Sequence, residues 1–118
     1  MAKAAIVLLA DNETPDGTGR MANALTTARE FAEAGDEVRV IFDGAGVKWV
    51  PTLLDEGHKY HRLLESVRDH VDGACAYCAR AYGVKEEIDA ADFPLTAEYR
   101  DHPSLRTLVV DGYQVITF

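Results

Sequence analysis

The feature that most constrains the fold is a continuous apolar run near the start of the chain, followed by a helix and a second strand. Residues 4–10 are Ala-Ala-Ile-Val-Leu-Leu-Ala, which is typical of a strand covered on both faces. Apolar residues then recur at spacings of three and four over residues 21–32, with Gly35 as a C-cap, which predicts an amphipathic helix. Glu37–Phe42 predicts a second strand. Together these segments predict a βαβ unit with parallel strands.

The alternation of strands and helices continues to the end of the chain. An apolar stripe predicts a second main helix, formed by Tyr60, Leu63, Leu64, Val67 and Val71. The later segments are predicted as a strand at residues 71–75, helices at 75–82, 85–91 and 103–110, a turn at 93–95, and a strand at 114–118. We therefore predict a single three-layer α/β/α domain over residues 1–118 with a mostly parallel sheet.

Charge and hydropathy restrict the partners and the compartment. The net charge of -8 and the pI of about 4.8 disfavour direct binding to nucleic acid or to an anionic membrane, since both require a basic patch. No apolar run reaches the roughly 20 residues of a membrane span. Met1-Ala2-Lys3 leads into the first strand without a signal-peptide pattern. We therefore expect a cytoplasmic protein with protein partners.

The candidate functional residues are Cys75 and Cys78, the two cysteines of the chain, at a predicted strand-to-helix junction. In a reducing compartment such a pair is more often catalytic or metal-binding than a structural disulfide. Unpaired N–H groups at a helix N-terminus favour thiolate over thiol, so we expect a reactive sulfur here. The alternative is that both cysteines are small apolar core side chains.

Other side chains are candidates to surround the cysteines. Ligands gather at the carboxyl ends of parallel strands, so loops 11–19 and 43–49 are expected to share an edge with the cysteine turn. The polar and aromatic candidates are Asn12, Thr18, Arg20, Trp49, Tyr77 and Arg80. Each also has an ordinary structural role open to it, as a cap, a solvated charge or a core aromatic.

The run from Cys75 to Val84, CAYCARAYGV, precedes a closing YQVITF at residues 113–118. With the two-strand start, this order resembles the DsrE/DsrF-like family, which includes Tus-type sulfur-relay subunits and YchN-like proteins. The resemblance spans essentially the whole chain. It implies a three-layer fold with a five-stranded parallel sheet. It also implies assembly into homo- or hetero-oligomers such as trimers and hexamers.

The resemblance also implies a role for one cysteine. In sulfur-transferring members, a cysteine at this turn accepts sulfane sulfur as a persulfide and passes it to a partner's cysteine. The distance to Gly83-Val84 matches that position to Cys75, which implies sulfur donor and acceptor proteins as partners. Cys78 departs from the expected pattern. It could attack a Cys75 persulfide, expel hydrosulfide and leave a disulfide, so sulfur transfer and dithiol or persulfide-reducing chemistry both stay open.

Further functions are weighed on the residues alone. A zinc site could combine the two cysteines with His58 and His61, although His-x-x-His is a tight spacing. Dinucleotide binding is disfavoured because residues 11–14, Asp-Asn-Glu-Thr, carry no glycine fingerprint after the first strand. A non-catalytic oligomeric binding protein is the remaining class. His102, just before Pro103, is interpreted as a surface turn residue, and the leading hypothesis requires neither a cofactor nor a metal.

Overall fold

A five-stranded, all-parallel sheet organises the chain, which a computed structural model describes over residues 1–118. The strand order is β4-β3-β2-β1-β5, with β1 between β2 and β5. The strands are β1 (Lys3–Leu8), β2 (Glu37–Phe42), β3 (Val71–Cys75), β4 (Leu95–Thr96) and β5 (Gln114–Thr117). This sheet confirms the predicted α/β class and the strand number that the family resemblance implies.

Six α-helices cover the two faces of the sheet unequally. They are α1 (Pro15–Glu33), α2 (Trp49–Leu54), α3 (His61–Val67), α4 (Ala76–Ala81), α5 (Lys85–Ala90) and α6 (Leu105–Val110). Short 3-10 helices lie at Gly44–Lys48 and Arg68–His70. The larger core includes buried side chains of α1 to α5, whereas the smaller core on the other face includes Leu108 of α6. None of the helices combines the length and apolar character needed to cross a membrane.

The apolar first strand lies at the centre of both cores, as its composition predicts. Ile6 and Leu8 point into the larger core, whereas Ala5 and Val7 point toward α6, and all four are fully buried. Alternate side chains of a strand point to opposite faces, so a strand covered on both sides must be apolar throughout. This strand pairs with β2 on one side and with β5 on the other, and the connecting loops begin at the ends of these strands.

The structure differs from the predicted elements at two places that matter for the site. The apolar stripe attributed to the helix extends to Val71, but the helix ends at Val67, and Val71 begins β3 as the predicted strand at residues 71–75 requires. The expected turn at residues 93–95 contains the start of β4, where Leu95 pairs with Ala74 and Thr96 pairs with Cys75. A two-residue strand has too few positions to show a period in sequence. Its pairing holds the following loop beside the cysteine turn.

Candidate functional site

Cys75 is both the last residue of β3 and the N-cap of α4, so the predicted strand-to-helix junction is confirmed. The backbone N–H of Cys78 donates to the Cys75 sulfur at 3.4 Å. The Cys75 residue is fully buried, with 0% exposure, whereas Cys78 is half-buried. The two thiols therefore belong to one turn but differ in access to solvent.

Two side chains from other loops complete a four-residue cluster with the cysteines. The Nδ1 atom of His102 lies 3.2 Å from the Cys75 sulfur, and the Cys78 sulfur lies 3.5 Å from Oδ1 of Asp43. One potential ligand atom from each residue lies within 4.8 Å of the others. Asp43 directly follows β2, and its carboxylate also accepts the N–H of Gly44 at 2.8 Å. The end of β2, the end of β3, the start of α4 and the loop after β4 thus meet at one point.

The loop after β4 presents His102 through an unusual backbone conformation. Arg100 and Asp101 have φ angles of 49° and 66°, and non-glycine residues in this region cost about 1–3 kcal/mol each. Tyr99 and His102 exchange backbone hydrogen bonds of 2.9 and 2.8 Å. The Tyr77 ring stacks on the His102 imidazole at 4.7 Å, and the Tyr77 N–H donates to the Asp101 carbonyl at 2.8 Å. These contacts fix the imidazole against the cysteine turn.

The expected thiolate is not the resting state of Cys75. Burial raises the pKa of this thiol to about 12, and the neighbouring Cys78 thiol and the Asp43 carboxylate shift it in the same direction. The Cys78 N–H opposes this shift by stabilising the thiolate, but α4 has only six residues, and the loss of solvation is the larger effect. The prediction of a low-pKa sulfur is therefore wrong, and Cys75 is a protonated thiol at neutral pH.

The polar candidates from the first loop lie elsewhere. Asn12 donates to Lys48 and Thr52, Thr18 bonds to the Thr14 carbonyl, and Arg20 pairs with Asp16. Arg80 forms an ion pair with Asp101 at 2.8 Å and does not contact the sulfur. Trp49 is buried in the larger core, so Tyr77 is the aromatic candidate that reaches the site.

The histidines chosen from sequence for a zinc site are also placed elsewhere. His58 accepts the N–H of Tyr60, and the Nδ1 atom of His61 lies 2.7 Å from the Leu53 carbonyl. Neither belongs to the cysteine cluster. The interpretation of His102 as a surface turn residue is wrong, because the residue is half-buried against Cys75. The sequence could have indicated Asp43, because it directly follows the strand next to β3. No local sequence feature indicates His102, which lies 27 residues after Cys75.

Comparison with known proteins decides the family. The model of the DsrE/DsrF-like family matches residues 5–118. The chain belongs to the DsrE/DsrF-like family. An uncharacterised protein of Methanocaldococcus jannaschii is 36% identical over 96 residues, which cover 81% of this chain and 78% of that relative. A conserved protein of unknown function from Bacteroides thetaiotaomicron has a similar fold, with a TM-score of 0.59 at 13% identity over 98% of this chain and 95% of the other.

Membership of the DsrE/DsrF-like family suggests sulfur relay in general. The cluster has the groups that such chemistry uses: two thiols, an imidazole within hydrogen-bonding distance of one of them, and a carboxylate near the other. An imidazole can accept a thiol proton, and a thiolate can attack a sulfane sulfur or a disulfide. The site of this DsrE/DsrF-like protein is therefore chemically equipped for sulfur exchange.

Proposed function

We propose that this protein carries sulfane sulfur as a persulfide on Cys75 and relays it from a donor protein to an acceptor protein. The observation that carries the proposal is the 3.2 Å separation between the Cys75 sulfur and Nδ1 of His102. A buried thiol needs a base at the moment of attack, and this imidazole is within reach of its proton. The family membership and the reducing cytoplasm expected from the sequence fit the same role.

Loading is an exchange of sulfur without net oxidation or reduction. His102, with its hydrogen on Nε2, accepts the Cys75 proton at Nδ1. The Cys75 thiolate attacks the outer sulfur of the donor persulfide, the donor's sulfur–sulfur bond breaks, and the donor leaves as a thiolate. Cys75 then holds one additional sulfur atom.

Unloading repeats this exchange with an acceptor thiolate. The acceptor attacks the terminal sulfur of the Cys75 persulfide, and the leaving Cys75 thiolate recovers a proton from His102. Cys75 is fully buried in the single chain, whereas Tyr77, which stacks on His102, is 52% exposed. A partner that contacts the Tyr77 ring is therefore next to the His102 imidazole.

The proximity of Cys78 favours a second candidate function, persulfide reduction. Its sulfur lies within 4.8 Å of the Cys75 sulfur. The Cys78 thiolate would attack the inner sulfur of a Cys75 persulfide, hydrosulfide would leave, and a Cys75–Cys78 disulfide would remain. A dithiol reductant would then return both cysteines to thiols.

Intact-protein mass spectrometry after exposure to polysulfide, without reductant, tests both functions. The relay function predicts a gain of one sulfur that is lost in Cys75→Ser and kept in Cys78→Ser. Persulfide reduction predicts that the wild type loses two hydrogens, whereas Cys78→Ser retains the sulfur. His102→Gln is expected to load more slowly than the matched variant His70→Gln. No mass change in any protein would contradict both functions and favour a binding protein.

We further propose that the protein is a homo-oligomer, a trimer or a hexamer, as the family resemblance implies. Two adjacent valines near the end of α6, Val109 and Val110, support this proposal because they are 61% and 64% exposed. Exposed apolar patches commonly mark interaction surfaces. The acidic net charge supports protein partners over nucleic acid or anionic membranes.

A further inference from the structure

The cluster at the cysteine turn has a second property, which does not depend on sulfur relay. Asp43, Cys75, Cys78 and His102 offer two sulfurs, one imidazole nitrogen and one carboxylate oxygen, all within 4.8 Å of one another. We propose that these four side chains form a binding site for a divalent metal ion of the zinc class. This set differs from the cysteine–histidine combination considered from sequence, because both non-cysteine ligands are new.

The distances fit a tetrahedral ion. Zinc–sulfur bonds of about 2.3 Å and zinc–nitrogen or zinc–oxygen bonds of about 2.0–2.2 Å place tetrahedral ligand atoms roughly 3.3–3.8 Å apart. The Cys75 sulfur and His102 Nδ1 are 3.2 Å apart, and the Cys78 sulfur and Asp43 Oδ1 are 3.5 Å apart. Every pair of the four ligand atoms lies within 4.8 Å. Small side-chain movements therefore bring all four atoms to bonding distance from one ion.

The donor atoms select the class of ion. Calcium and magnesium require oxygen ligands and are disfavoured by two sulfurs. Zinc accepts sulfur, imidazole nitrogen and carboxylate oxygen together, usually with four ligands. Binding converts both thiols to thiolates and releases two protons to solvent. The two thiolates and the Asp43 carboxylate then carry three negative charges against the two positive charges of the ion.

The ligands are held by separate elements and by their own outer contacts. Asp43 Oδ1 accepts the Gly44 N–H at 2.8 Å, which orients the carboxylate at the end of β2. The stacked Tyr77 ring orients the His102 imidazole. Contacts of this kind direct metal ligands and fix their geometry. A metal ion and a persulfide would compete for the Cys75 sulfur, so zinc would block sulfur loading.

The test is a titration of the reduced, metal-free full-length protein with Zn²⁺ in competition with a chromophoric chelator. Co²⁺ serves as the spectroscopic probe. We expect one ion per chain, a thiolate-to-cobalt charge-transfer band, and visible bands with the intensity of tetrahedral cobalt. His102→Gln and Asp43→Asn should each weaken zinc binding by at least about tenfold and alter the cobalt spectrum. The matched variants His70→Gln and Asp69→Asn, outside the cluster, should bind as the wild type does.

Two results would overturn the proposal. One is no stoichiometric zinc binding by the wild type. The other is a zinc affinity and cobalt spectrum left unchanged in both His102→Gln and Asp43→Asn, which would assign binding to the thiols alone. Asp43→Asn keeps an oxygen that can cap the following turn, and thermal melting checks that each variant is folded. Polysulfide loading is measured separately on metal-free protein, so failure of the metal site and failure of sulfur relay are distinguishable.

Discussion

At the scale of single residues, burial separates two thiols that are only three positions apart. Cys75 is fully buried and its pKa is raised to about 12, mainly by loss of solvation, whereas Cys78 is half-buried. Alkylation requires that the reagent reach the sulfur and that the sulfur be present as a thiolate. We expect iodoacetamide at neutral pH to modify Cys78 at least about tenfold faster than Cys75. Mass spectrometry of Cys75→Ser and Cys78→Ser, each with one thiol, measures the two rates, and equal rates would contradict the difference in burial.

The raised pKa of Cys75 also predicts a pH dependence of stability. The folded thiol holds its proton up to about 12, whereas the ordinary value is 9.0. Between these values the unfolded chain binds fewer protons, so the contribution is fully present below pH 9 and declines as pH rises toward 12. The advantage of the wild type over Cys75→Ala in free energy of unfolding should therefore shrink above about pH 9. Denaturant titrations of both proteins at increasing pH measure this difference, and a constant difference would refute the linkage.

The residues of the site differ in how well the sequence foretells them. Cys75 and Cys78 are predictable because they are neighbours along the chain and lie where a strand passes into a helix. The raised pKa is not predictable, since it depends on burial under another loop. His102 reaches Cys75 through positive φ angles at Arg100 and Asp101. No periodicity or turn signal specifies that pair of angles for non-glycine residues.

At the scale of elements, the loop that carries Asp43 depends on a close approach of two backbones. Gly46 lies in the 3-10 helix after β2, and a Cβ there would lie 2.0 Å from the Leu8 carbonyl oxygen at the end of β1. We expect Gly46→Ala to destabilise the fold by about 1–3 kcal/mol, because the overlap must push the two segments apart. The same movement would displace Asp43 and weaken zinc binding.

Gly19 provides the matched control for this prediction. It lies inside α1, and a Cβ there would meet no atom within 4 Å. Gly19→Ala should therefore stabilise the protein by about 0.5–1 kcal/mol, because alanine is the better helix former. Denaturant midpoints of the two variants should move in opposite directions. An unchanged or raised denaturant midpoint for Gly46→Ala would show that the backbone contact at Gly46 does not limit the stability of this loop.

Elements with many periodic residues are predictable, and short ones are not. The apolar run of β1 and the spaced apolar positions of α1 predict those elements because burial acts on each of their residues. β4 consists of Leu95 and Thr96 alone, and pairing with β3 defines it. Val71 fits both the apolar stripe of the helix and the predicted strand at residues 71–75, and pairing with Val40 of β2 places it in the strand. Pairing between distant strands leaves no pattern in the local sequence, so the features that depend on it are not predictable from the sequence.

At the scale of the whole molecule, the unequal cover of the sheet predicts self-association through α6. Five helices pack on one face, whereas α6 alone packs on the other and leaves Val109 and Val110 exposed. Burying these valines between copies would remove apolar surface from water, worth about 25 cal/mol per Å². We expect light scattering to give a trimer or hexamer for the wild type, and a smaller species for Val109→Lys/Val110→Lys. The matched variant Asn23→Lys/Thr26→Lys, on the exposed side of α1, adds the same charge and should keep the wild-type mass. A monomeric wild type, or a double valine variant of unchanged mass, would exclude α6 as the interface.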